Sequence, residues 1–150
     1  MYKKVLVPLD GSELAECALP HVKNLIKDGA IGKVVLLNVA GVDISWSEID
    51  QGIDIAGIRQ KLLDTSRQYL ADMQSRLRAE GFSVETELIE ANRPAHVIAD
   101  YAQKNHVDLI VIATHGYTGM KKMLLGSVAL KVLHESQVPV LLIRPASCQK

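Results

Sequence analysis

The densest chemistry in the sequence lies between His115 and Ser127, where Gly116, Gly119 and Gly126 crowd ahead of a serine. Glycines let a backbone approach an anion closely and take φ values that other residues avoid. Gly126-Ser127 stands where a helix is expected to open, and the free N–H groups and dipole of a helix start favour a phosphate. Ser127 adds a hydroxyl, Lys121 and Lys122 add positive charge, and His115 is the best-placed titratable side chain. A plainer reading of the same residues stays open: a connection that ends in a serine N-cap, with solvated lysines and a histidine that only hydrogen-bonds.

A second segment, Pro8-Leu9-Asp10-Gly11-Ser12, follows the first apolar run. Pro8 and Gly11 shape a tight exit, and Asp10 is a carboxylate able to accept from a ribose hydroxyl or assist a metal ion. Equally, Asp10 and Ser12 could do no more than cap the next helix. Neither segment is a P-loop, since G-x-x-x-x-G-K-[ST] is absent, and no G-x-G-x-x-G follows the first run. No catalytic set stands out either. Cys17 has no histidine motif to activate it, and His21, His96, His106 and His134 fall in or beside separate helical patterns without carboxylates at metal-ligand spacing.

Short β-rich runs alternate with helical patterns, which predicts an α/β fold with a parallel sheet covered on both faces. The strands are expected at Val5–Val7, Val34–Leu37, Ser83–Glu90, Asp108–Ala113 and Val138–Ile143. Val5–Val7 and Val34–Leu37 are continuously apolar, as strands buried on both faces are, and Asp108–Ala113 is the most apolar run. Ser83–Glu90 instead alternates, with Glu85 and Glu87 on one side, and reads as an edge or half-exposed strand.

The first helix is expected after an N-cap at Ser12, with Leu14, Cys17, Ala18, Val22, Leu25 and Ile26 inward, a kink at Pro20 and an end at Asp28-Gly29. The second presents Ile58, Leu62, Tyr69, Met73 and Leu77 and stops at Gly81. A third follows Arg93-Pro94 with Val97, Ile98, Tyr101 and Ala102 inward, and a fourth turns Val128, Ala129, Val132 and Leu133 to the core. The connection from Gly41 to Gly52 carries Ile44, Trp46 and Ile49, which suit either a cover over a ligand or a surface loop.

With 150 residues and 48% of them apolar, the chain suits one globular domain, residues 1–150, with no repeat or linker. Seventeen Lys plus Arg against seventeen Asp plus Glu leave no net charge, so neither nucleic acid nor an anionic membrane is an expected partner. No apolar run nears the roughly 20 residues needed to cross a bilayer. Met1-Tyr2-Lys3-Lys4 runs straight into a strand, so a secretory leader is not expected. Cys17 and Cys148 are expected as plain thiols in a reducing cytoplasm.

Taken together, Val5-Leu6-Val7-Pro8-Leu9-Asp10-Gly11-Ser12, Leu36-Leu37-Asn38-Val39, Thr114-His115-Gly116-Tyr117-Thr118-Gly119, Leu124-Leu125-Gly126-Ser127-Val128 and Val138-Pro139-Val140-Leu141-Leu142-Ile143 resemble the universal stress protein family over nearly the whole chain. The family's nucleotide-binding branch carries G-x2-G-x9-G-[ST]. Gly116, Gly126 and Ser127 match that pattern, and Ala113 stands at its first glycine.

The resemblance implies a Rossmann-like, adenine-nucleotide alpha-hydrolase-like fold, an open five-stranded parallel sheet of order 3-2-1-4-5. It implies that Pro8, Leu9 and Asp10 flank ribose and adenine and that Val39 offers backbone groups to the adenine edge. Gly116, Gly126, Ser127 and Val128 would bind phosphates above an Ala113 floor, with Gly119 a secondary candidate. The ligand implied is ATP or AMP, with Mg2+ entering on ATP beside Asp10. A homodimer through the Val138–Ile143 edge strand is implied as well. The function implied is nucleotide-dependent stress signalling in the cytoplasm; the alternatives are an interaction module that has lost nucleotide binding and a protein with very slow ATP hydrolysis or autophosphorylation.

Overall fold

The computed structural model describes residues 1–41, 51–52, 54–115 and 126–145. Along the chain these form β1 (Tyr2–Pro8), α1 (Glu13–Glu16), α2 (Leu19–Lys27), β2 (Ile31–Ala40), α3 (Ile55–Ala79), β3 (Glu85–Glu90), α4 (Pro94–Lys104), β4 (Leu109–Ala113), α5 (Ser127–Glu135) and β5 (Val140–Ile143). The strands make one parallel sheet of order β3-β2-β1-β4-β5, as expected. Most of the connection with Trp46 lies outside the described residues.

The apolar runs explain why helices cover both faces. Val5, Leu6 and Val7 of β1 are wholly buried, and so are Leu36 and Leu37 of β2. Adjacent side chains on a strand point to opposite faces, so such a strand needs a core on each. One core joins Val5, Val7, Val34 and Leu36 to Leu19 and Val22 of α2 and to Leu70, Met73 and Leu77 of α3. The other joins Leu6, Val35 and Leu37 to Ile98 and Ala102 of α4 and Ala129 and Val132 of α5. The chain leaving β1 therefore goes to one face, while the chain leaving β4 beside it goes to the other. Their divergence opens a crevice at the carboxyl end of the sheet.

Local signals set the helix ends. Gly29 and Gly81 take positive φ, +72° and +92°. After α2 the Ala30 N–H reaches Leu25 O at 2.9 Å and the Gly29 N–H reaches Ile26 O at 3.0 Å; after α3, Phe82 and Gly81 repeat the pair onto Leu77 and Arg78. This is the Schellman arrangement, which only a left-handed residue can close. At the opposite end of the sheet Asp108 accepts from the Lys3 and Lys4 backbone N–H groups, each at 2.8 Å. Burial alone would raise its carboxyl, but those N–H groups outweigh it and hold the pKa below the ordinary 3.8.

Several expectations are corrected. Pro20 does not kink one helix but separates two, with Cys17 and Ala18 between them. Proline lacks the N–H a helix interior needs and suits a first turn, and it takes that place in α2. On α3 the buried stripe is Leu63, Leu70, Met73 and Leu77, while Ile58 and Leu62 stay 39% and 43% exposed. Leu62 and Leu63 are neighbours about 100° apart, and spacing alone does not choose between them. Leu133 on α5 is likewise exposed, leaving Ala129 and Val132 to the core.

Val97 and Tyr101 on α4 are half-buried beside fully buried Ala95, Ile98, Ala99 and Ala102. Strand bounds also shift: β2 is longer than expected, and β3 and β5 start two residues later. Cys17 is disulfide-bonded rather than a plain thiol, because contact in the fold rather than spacing in sequence decides what a cysteine meets.

The α3 correction is testable. Leu70→Ala should cost about 2–5 kcal/mol, as loss of a buried leucine does, and Leu62→Ala about 0.5 kcal/mol or less. Urea denaturation of both variants checks the assignment, and equal costs would return the stripe to Leu62.

Candidate functional site

The crevice takes its first wall from the exit of β1. Leu9 is buried and bound twice to β2: its N–H donates to Leu37 O at 2.8 Å, and its carbonyl accepts from Asn38 Nδ2 at 2.9 Å. Beyond it the chain turns at Gly11, whose φ of +87° disfavours any side chain. Asp10 Oδ1 accepts from the Ser12 backbone N–H at 2.9 Å and from its hydroxyl at 2.5 Å. Ser12 Oγ in turn accepts from the Ala15 N–H at 3.1 Å, so it caps α1. The capping reading thus holds for Ser12, while Asp10 braces the cap and also lines the cavity.

Glu16 fixes α1 from the other side, accepting from the Tyr69 hydroxyl of α3 at 3.0 Å. Burial and then the charge of Glu16 push the Tyr69 hydroxyl well above its ordinary pKa, which keeps it a donor.

The opposite wall comes from the exit of β4. Thr114 is buried; its N–H donates to Ile143 O at 2.8 Å, and its carbonyl accepts from the Gly126 N–H at 2.5 Å. The chain therefore leaves at Thr114 and returns against the same residue. Gly126, not Ser127, is the N-cap of α5, with extended φ and ψ of −67° and 160° and no side-chain cap. Ser127 is the first helical residue and is exposed. The N–H groups of this first turn have no carbonyl one turn earlier to bond, which makes them donors toward an anion. Thr114 Oγ1 lies 3.0 Å from His115 Nδ1 and so orients the imidazole.

Between these walls lies a cavity of about 200 Å³. It brings together Pro8, Leu9, Asp10, Val39, Ala113, Gly126, Ser127 and Val128, together with His115. Gly116 and Gly119 lie outside the described residues. Sequence reasoning missed Ala15, Leu37, Pro94, Ile98, Ile112, Thr114 and Ala129, which also line it. A signal existed for two of them: Leu37 and Ile112 stand an even number of residues from Val39 and from Thr114, and so share their faces. Pro94 and Ile98 come from α4 and had none.

Among the described residues only His106 among non-glycines takes positive φ, so Ala113 carries its methyl group without backbone strain. The described residues contain no group of three His, Cys, Asp or Glu side chains placed to hold a metal ion. The walls are largely apolar and the polar groups few, the usual composition of a small-molecule site.

The family model described as the universal stress protein family matches residues 1–144. The chain belongs to the universal stress protein family. Universal stress protein MJ0577 of Methanocaldococcus jannaschii is 33% identical to it over 96% of both chains. The solved structure of MJ0577 superposes with a TM-score of 0.80 at 34% identity, again over 96% of each chain. An Arabidopsis thaliana protein of the universal stress protein family, solved with AMP bound, matches at TM-score 0.67 and 18% identity over 95% of this chain and 91% of that one. A universal stress protein in complex with cAMP matches at 0.63 and 20% over 96% and 98%. For these two the likeness is one of fold.

In this universal stress protein the Ser12 cap holds the first wall. Ser12→Ala should lower stability by about 1 kcal/mol and speed amide exchange at Ala15, whose N–H loses its acceptor. Unchanged exchange at Ala15 would show that water replaces the hydroxyl without loss.

Proposed function

We propose that this universal stress protein binds an adenine nucleotide, ATP or AMP, and signals its bound state as a single-domain cytoplasmic homodimer in a stress response. The observation that carries the reading is the cavity shared by the Asp10 exit of β1 and the Gly126-Ser127 opening of α5. One end offers a carboxylate and strand-end backbone, suited to a ribose and a base edge; the other offers a helix start, suited to phosphate. Adenine would lie near Val39 and Leu9, ribose near Asp10, and phosphates on Gly126, Ser127 and Val128, with Gly116 and, secondarily, Gly119 as the further phosphate candidates of the family pattern. The AMP and cAMP held by proteins of the same fold support an adenine ligand. Mg2+ would enter with the phosphates of ATP, the carboxylate of Asp10 being the lining group suited to it.

Ala113 favours a second reading, an interaction module that has lost its nucleotide, because a methyl group replaces the glycine at the cavity floor. Its ordinary φ removes the backbone objection and leaves only the question of ligand approach. Among the described residues the titratable side chains that line the cavity are Asp10 and His115, and we expect ATP hydrolysis or autophosphorylation at Ser127 to be at most slow.

Calorimetric titration decides between the two. The wild-type chain should bind ATP and AMP in preference to GTP, and Gly126→Val should abolish ATP binding. Absence of adenine-nucleotide binding at millimolar ligand would leave the interaction module as the reading.

Dimerisation rests on β5, which pairs with β4 on one side and is the last strand of the sheet on the other. Its Leu141 is 38% exposed. An apolar edge without charge or bulge invites pairing with a second copy. Sedimentation at micromolar concentration should find a dimer and Leu141→Lys a monomer; a monomeric wild type would remove this part of the proposal.

A further inference from the structure

Asn38 is one of two buried polar residues among those described, in a strand whose neighbours Val34, Val35, Leu36 and Leu37 are fully apolar. A buried amide is costly unless it is hydrogen-bonded, and asparagine is a poor strand former. Its position therefore calls for an interaction that an apolar residue could not make. Asn38 Nδ2 donates to Leu9 O at 2.9 Å, across 29 residues of sequence.

The place of that bond in the ladder is informative. A parallel ladder is regular: a residue whose N–H bonds one carbonyl offers its own carbonyl to the N–H two residues further along the partner strand. Leu9 N–H bonds Leu37 O at 2.8 Å, so the next donor in register is the Val39 N–H. The side chain of Asn38 takes the Leu9 carbonyl instead. Val39 lines the cavity, and the backbone alternation that sends Ala40 O to the Ala91 N–H on the β3 side turns the Val39 groups to the β1 side.

We infer that Asn38 is a positioning residue for the base-and-ribose half of the cavity: it ends the β1–β2 ladder one bond early, anchors the Leu9-Asp10 turn, and leaves the Val39 N–H for a ligand. This rests on the adenine-nucleotide reading for the identity of the ligand, and not for the anchoring itself. It also separates the two halves of the site. The phosphate end is held by Thr114 and the start of α5, whereas the Asn38 amide bonds the Leu9 carbonyl at the opposite wall.

The test uses the full chain with Asn38→Asp, which keeps size and removes the donor, and Asn38→Leu, which keeps an apolar fold should the buried carboxylate prevent folding. Amide hydrogen exchange without ligand should quicken about tenfold at Asp10, Gly11 and Ser12, the order expected for loss of one buried hydrogen bond. Exchange at Val34 to Leu37 should not change. Adenosine and ATP should each bind about tenfold more weakly, while inorganic triphosphate binds as before. Equal weakening for triphosphate, or unchanged exchange in the turn, would overturn the inference. Should the wild type bind neither adenosine nor ATP, the nucleotide reading alone fails, and exchange at Asp10–Ser12 still decides whether Asn38 anchors the turn.

Discussion

The constraint on which the structure depends is that β1 has no wet face. Val5, Leu6 and Val7 are fully buried, so residues on alternate sides both require a covering layer. The first half of the chain supplies one layer with α1 to α3, and the second half supplies the other with α4 and α5. Because β4 lies directly beside β1, the two connections that begin those layers part at neighbouring strand ends. The cavity is the space left by that parting. It follows from burial and topology before any polar residue is considered, and the polar residues then decide what it can hold.

Much of this was legible in the chain itself. Continuous apolar runs separated by helical spacing are enough for a parallel α/β sheet, and the charges of Glu85 and Glu87 are enough to place β3 at an edge. The strand order came from resemblance to a family, since periodicity carries no information about which strands are neighbours. What the pattern misjudged were apolar residues at the margin of a stripe: Leu62 in place of its neighbour Leu63 on α3, and Leu133 counted inward together with the buried Val132 on α5. A helix stripe is about a third of the circumference, so neighbours compete for it, and the packing partner settles the matter.

The site was legible to a similar depth. Glycine, serine and aspartate at strand exits are visible as turn and anion chemistry, and eight of the expected residues meet at one cavity. The residues that hold those turns were not visible. Asn38 and Thr114 each look like an ordinary polar interruption at the end of an apolar run. Their importance is three-dimensional: both are buried, and both bind backbone or ring atoms of the segments that form the cavity. A polar residue at a buried strand end is therefore a better sign of a braced loop than its identity suggests, since an amide or hydroxyl is retained there only when it is satisfied.

Ala113 shows how backbone and ligand constraints on a glycine position separate. Glycine is required where φ is positive, and substitution there strains the chain whatever the ligand. It is also favoured where a ligand presses on the backbone, and substitution there costs affinity alone. Ala113 ends β4 in register with Ile143, at ordinary φ and buried, so the first requirement does not apply. One methyl group at the floor then acts only through the room it takes from a ligand. Its neighbours Ile112 and Thr114 are larger and already line the same cavity. The floor is thus set mainly by side chains other than this one, and the alanine narrows a site whose shape the two diverging connections have already determined.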